Sequence, residues 1–194
     1  GLQSIPGGGA EILSDRVRQE LCPNKATASE WLEVQRTAHK MGIRSNASML
    51  YGHIETLEER VDHLLSLRAL QDETGGFQTF ICFPFHPGNT ELEATHQRTS
   101  LWDELKTMAI SRLMLDNFSN IKAYWVMLTL PIAQLALGFG ANDIDGTVSE
   151  EKIMHAAGAK SATFLTQETI IETIRQIGRV PVERDSMYKI IRTL

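Results

Sequence analysis

The chain has 194 residues and sets 19 Lys+Arg against 24 Asp+Glu, a formal charge of −5. At 42% apolar and 22% charged residues it has the composition of a globular domain, which excludes disordered, collagenous and coiled-coil chains. The negative balance argues against nucleic-acid and anionic-membrane surfaces, and no apolar run approaches 18 residues. Two cysteines, Cys22 and Cys82, read as reduced thiols of a cytoplasmic protein and not as a disulfide framework.

Residues 2–5 read as a short strand that stops at Pro6-Gly7-Gly8-Gly9. Thr27-Ala-Ser-Glu30 is a capping box, and Trp31, Leu32, Val34, Ala38 and Met41 follow at helical spacing until Gly42. Residues 43–51 form the next expected strand, closed by Gly52. Thr56-Leu-Glu-Glu59 caps a second helix, with a buried stripe expected at Leu57, Val61, Leu64, Leu65 and Leu70 and an end at Gly75-Gly76. Residues 77–85 are β-rich and end among Pro84 and Pro87. A third helix over 101–116 is expected to turn Leu105, Met108, Ala109 and Leu113 inward. Residues 121–130 read as a strand or as the start of the short helix at 132–139. The tail predicts helices over 147–157 and 166–177, an extended segment over 180–185 and a final short helix over 187–194.

About four strand–helix units with largely apolar strands predict an α/β fold, its parallel strands covered by helices. A closed (β/α)₈ barrel takes about 250 residues and eight such units. The pattern therefore leaves two readings open, an open α/β layer or the C-terminal half of a barrel. The division expected is a barrel-type part over 1–140 and a helical extension over 141–194.

In a parallel α/β fold, function collects at the C-terminal ends of the strands. Pro6-Gly-Gly-Gly-Ala-Glu11 lies at one: its glycines allow close backbone approach to a ligand, and Glu11 can accept hydrogen bonds from a ribose or an ammonium. It matches neither GxGxxG nor GxxxxGK[ST], and the plainer reading is a flexible turn. Tyr51-Gly-His-Ile-Glu55 puts His53 two positions from a carboxylate behind a glycine, which suits ligand binding or acid–base work; otherwise Glu55 serves the next helix cap. Phe83-Pro-Phe-His-Pro87 fixes the direction of His86 between two prolines. Asn142-Asp-Ile-Asp-Gly146 fails the calcium-loop pattern, which leaves Asp143 or Asp145 as a substrate-facing carboxylate. No CxxC, HExxH or Cys/His cluster has metal spacing, so no metal site is expected from this chain alone; without GxSxG, hydrolase chemistry finds no support.

Pro6-Gly-Gly-Gly-Ala-Glu-Ile-Leu, Ala38-His39 with Gly42, Asn46-Ala-Ser-Met-Leu-Tyr-Gly-His-Ile-Glu55 and Leu67-Arg-Ala-Leu-Gln-Asp-Glu-Thr-Gly-Gly-Phe77 resemble one group of radical S-adenosylmethionine (SAM) enzymes. The group holds the aminofutalosine synthases, the dehypoxanthine futalosine cyclases and the second subunit of deazaflavin (FO) synthase. Arg112-Leu-Met-Leu-Asp-Asn-Phe118, Ile121-Lys-Ala-Tyr-Trp-Val-Met127, Asp143-Ile-Asp-Gly-Thr-Val148 and Phe85-His86-Pro87 are most similar to the synthases. The resemblance implies a radical SAM (β/α) barrel of TIM type. In it a CxxxCxxC loop holds a [4Fe–4S] cluster and SAM yields an adenosyl radical. That radical adds to the enolpyruvyl group of 3-[(1-carboxyvinyl)oxy]benzoate, giving 6-amino-6-deoxyfutalosine for menaquinone.

This sequence has no CxxxCxxC and corresponds to the C-terminal half of the family's length. The cluster's cysteines are therefore expected in an N-terminal half that the sequence lacks, and this chain alone is expected to be inactive. By the resemblance, Gly7, Gly8, Glu11, Asn46, Tyr51 and Glu55 face SAM and substrate, while His53, His86 and Asp143 carry catalysis. The expected partners are a small-molecule substrate, the missing barrel half and, through unpaired strand edges, a second copy of the fragment. The competing readings are a cyclase or FO synthase-type enzyme, or a non-catalytic half-barrel module.

Overall fold

The computed structural model describes residues 1–147 and 164–194. Its main sheet has five strands: β1 (Ser4–Ile5), β2 (Arg44–Tyr51), β3 (Phe77–Pro84), β4 (Ile121–Ala123) and β5 (Asp143–Ile144). All four neighbouring pairs are parallel, and the spatial order is the chain order. Between the strands run α1 (Asp15–Leu21), α2 (Ala28–Lys40), α3 (Leu57–Thr74), α4 (Leu101–Met114), the one-turn α5 (Trp125–Leu128) and α6 (Leu130–Ala136). Parallel crossovers are right-handed. A strand order that never reverses therefore keeps every helix on one face, and a doubly wound sheet would reverse. This is the arc of a (β/α) barrel, with one strand more than the four expected.

Alternate strand residues divide the two faces. Ala47, Met49 and Tyr51, Phe80 and Cys82, Ile121 and Ala123, and Ile144 are buried in the core that the helices cover. Ser48, Leu50, Ile81, Phe83, Lys122 and Asp143 take the other, barrel-interior face.

Local signals set the helix starts. Thr27 and Thr56 each accept the N3 amide while Glu30 and Glu59 reach back to the cap amide, so both capping boxes form as read. The buried face of α3 differs from the expected stripe. Leu64 and Leu70 are buried, but so are His63, Leu67 and Gln71, whereas Leu57, Val61 and Leu65 face solvent. Gln71 can be buried because it takes the Phe77 amide at 2.9 Å and donates to the Phe77 carbonyl at 3.1 Å. Similarly, α4 buries Glu104 and leaves Leu113 exposed. Residues 121–130 split into β4 and α5.

Beyond residue 164 come α7 (Gln167–Gln176) and an antiparallel hairpin, β6 (Val182–Arg184) with β7 (Ile190–Thr193). The final helix expected over 187–194 is thus a strand: Ile190, Ile191 and Thr193 are β-branched and pair with β6. The helix expected from Thr147 onward falls on residues outside those described.

Candidate functional site

The strands' C-terminal ends form one mouth. After β1, the glycine segment is a built loop. A Cβ on Gly7 would stand 2.0 Å from the Asn46 carbonyl oxygen, so glycine is required there by packing on β2. Ser48 Oγ donates to the Gly7 carbonyl at 2.9 Å and Trp31 Nε1 to that of Gly8 at 3.0 Å. Buried Arg18 donates to the carbonyls of Gly9 at 3.1 Å, Ile12 at 3.3 Å and Ala26 at 2.7 Å, and also to that of Ala10. Glu11 takes a left-handed φ of 43°, its carbonyl accepting the Leu50 amide at 2.7 Å and its carboxylate pairing with Lys25. A cleft of about 600 Å³ opens beside it, lined by Glu11, Lys25, Leu50, Phe85 and Thr90 among others.

After β2, Glu55 organises the turn. Its carboxylate accepts the amides of Gly52 at 2.5 Å and His53 at 2.9 Å and Arg60 Nε at 2.8 Å. Burial alone would raise its pKa, but the adjacent His53 ring and the Gly52 and His53 amides hold it down at about 2. His53 Nε2 lies 3.0 Å from the Leu50 carbonyl, which only accepts, so Nε2 carries a proton; Nδ1 faces the Ile54 amide at 2.8 Å and Glu55 at 2.9 Å. Its ring meets Phe85 edge-on at 6.0 Å. Tyr51 turns to the helix side, fully buried beneath the Arg60 guanidinium at 4.8 Å, and burial raises its phenol pKa well above the usual value.

After β3, His86 is buried and its Nε2 donates to the Met127 carbonyl at 3.0 Å. Burial lowers its pKa, against the bond to Met127, and nearby Arg98 pushes it down as well; with Nε2 donating, Nδ1 is the ring nitrogen left to face a ligand. The mouth thus gathers Gly7, Gly8, Glu11, His53, Glu55 and His86. Asn46, near the start of β2, sets its carbonyl against Gly7, and its Oδ1 is buried without a partner among the described residues. Asp143 opens β5, where Arg184 grips it through two bonds of 2.9 and 2.7 Å and the Tyr188 hydroxyl donates at 3.2 Å. Lys122 joins Asp145 at 2.9 Å and Asp143 at 3.8 Å.

Sequence reading passes over Arg18, Arg98, Glu104 and Lys122. For Lys122 a signal exists: a lysine inside an apolar strand run needs a charged partner. The chain's own residues do not fit the ligand set of an iron–sulfur cluster. Cys82 is wholly buried, its thiol pushed up to about 12 by burial, and Cys22 is the one other cysteine. Among the described residues no group of three His, Cys, Asp or Glu could hold a metal ion, and no helix is long and apolar enough to cross a membrane.

Residues 74–194 match the family described as the CofH/MqnC C-terminal region. The chain is 49% identical over 195 residues to aminodeoxyfutalosine synthase of Thermus thermophilus, covering 99% of this chain and 52% of that protein. It is 45% identical over 192 residues to 5-amino-6-(D-ribitylamino)uracil–L-tyrosine 4-hydroxyphenyl transferase of Archaeoglobus fulgidus, covering 98% and 56%. To the protein so named, with the suffix 1, in Methanosarcina barkeri it is 45% identical over 201 residues, covering 100% and 53%. The chain spans about half the length of the curated relatives it matches.

Proposed function

The chain belongs to the CofH/MqnC C-terminal-region family, and from that premise we propose that it forms part of a radical SAM aminofutalosine synthase. That enzyme joins an adenosyl group to 3-[(1-carboxyvinyl)oxy]benzoate in menaquinone biosynthesis. The observation carrying this reading is 49% identity to a synthase across 99% of the chain. A second reading, transfer of the 4-hydroxyphenyl group of L-tyrosine, is favoured by the 45% identity to the archaeal transferases. The strand ends of the arc are where a barrel enzyme works.

SAM, held at a [4Fe–4S] cluster whose ligands lie outside this chain, supplies a carbon-centred radical when bound. Glu11, fixed by Lys25, accepts hydrogen bonds from ribose hydroxyls. Leu50 and Phe85 line the cleft with apolar surface and exclude water. His86 offers the Nδ1 lone pair to a proton at the acceptor, and His53 and Glu55 keep the β2 turn closed over the site. Gly7 and Gly8 bring the first loop close to the ligand. Asn46 supports Gly7 from β2, and Tyr51 and Asp143 act from further off, through the sheet. The remaining partner is the rest of the barrel, and free Cys22 and Cys82 suit a reducing cytoplasm.

The test is turnover by the full-length, cluster-loaded protein with SAM and reductant. We expect 6-amino-6-deoxyfutalosine by mass spectrometry with the enolpyruvyl benzoate, and no product with 5-amino-6-(D-ribitylamino)uracil and L-tyrosine. Product from the second pair alone would overturn the synthase reading in favour of the transferase.

A further inference from the structure

The loop from β3 to α4 crosses the mouth and carries Arg98. Its Nη2 donates to the carbonyls of Met127 at 3.2 Å and Leu128 at 3.3 Å, and its Nε lies 3.4 Å from Glu104 Oε1. The Met127 carbonyl is the same one that takes the His86 proton. Thr99 Oγ1 donates to Glu104 Oε1 at 2.9 Å. The Glu104 side chain is 1% exposed, whereas that of Arg98 is 33% exposed. Glu104 Oε2 is buried without a partner, and burial raises the pKa of this carboxyl. The turn these groups hold is strained: Thr129, a β-branched residue, stands at φ 81° directly after α5.

Pinning two carbonyls needs only a neutral donor. Burying a carboxylate behind the donor costs stability, and the geometry gives that cost a purpose. The two carbonyls take both Nη2 N–H groups and the Glu104 ion pair stands beside Nε, which together fix the guanidinium plane. Nη1 keeps two N–H groups with no partner among the described residues. A fixed, partly exposed guanidinium edge is the arrangement that binds a carboxylate.

We propose that Arg98 recognises a carboxylate at the mouth, with Glu104 as its positioning residue. The inference rests on the synthase reading and deepens it. The carboxylate belongs either to the acceptor acid or to the methionyl group of SAM.

In the full-length, cluster-loaded enzyme, Arg98→Gln should raise KM for one of these two ligands at least about tenfold, with kcat changed less than about threefold. Whichever KM moves identifies the source. Arg98→Lys keeps the charge but not the fork and should show a smaller rise for the same ligand. It also carries the test should the glutamine variant fail to fold. Glu104→Gln should raise the same KM by less than Arg98→Gln. Calorimetric titration with SAM, and with benzoate as a carboxylate probe, reads the same loss without turnover. A wild-type enzyme that makes no aminodeoxyfutalosine would refute the synthase reading alone. Folded Arg98 variants with KM and Kd for both ligands unchanged would refute the role of Arg98 alone.

Discussion

His63 is fully buried in α3, where its Nδ1 accepts the Leu13 amide at 3.0 Å. Burial pushes its pKa down to about 3, against an ordinary 6.5. The unfolded chain therefore binds a proton that the folded chain refuses. Stability from this group is full above pH 6.5 and drains as pH falls toward 3, by about 2 kcal/mol at pH 5. His63→Gln, which retains an acceptor, should shrink the loss of urea stability between pH 7 and pH 5 by about that amount; an undiminished loss would contradict this assignment. That His53 and His86 stand just past strand ends was legible because glycine and proline punctuation marks those ends. Arg98 and Glu104 were not, because a buried carboxylate is visible only once α4 packs beside the mouth. Gly7 was singled out for close approach to a ligand, whereas the atom packed against it is the Asn46 carbonyl.

At the scale of elements, what is local was legible. Both capping boxes form because all their atoms lie within four residues. The side of α3 that faces inward was not legible, because leucines lie on both faces and the choice falls to polar residues bonded to distant amides. The terminal strand was misread for a related reason: β7 exists through pairing with β6, and the hairpin docks through Arg184 on Asp143. That pair is bidentate and partly buried, with Arg184 21% exposed and Asp143 12%. Arg184→Gln should therefore accelerate amide exchange in residues 182–193 by at least about tenfold while leaving β2 and β3 protected. Unchanged exchange in the hairpin would show that something other than this pair holds it.

For the whole molecule, the informative fact is that chain order and strand order coincide. Composition and apolar strands established a parallel α/β sheet, but a layer and a barrel arc share that pattern. Only the pairing separates them, and pairing is a long-range property. The arc explains why segments far apart in sequence, 6–11, 52–55, 85–98 and 127–128, meet at one end, and why the helix-facing strand residues are largely apolar, with Ser45 buried on its bond to His39. The central claim is that this mouth is where the adenosyl transfer takes place. His86 tests it most directly, being buried there with one ring nitrogen bound to the Met127 carbonyl. In the full-length, cluster-loaded enzyme, His86→Ala should lower product formation at least about tenfold while the protein stays folded. Turnover equal to the wild type in a folded His86→Ala enzyme would contradict it.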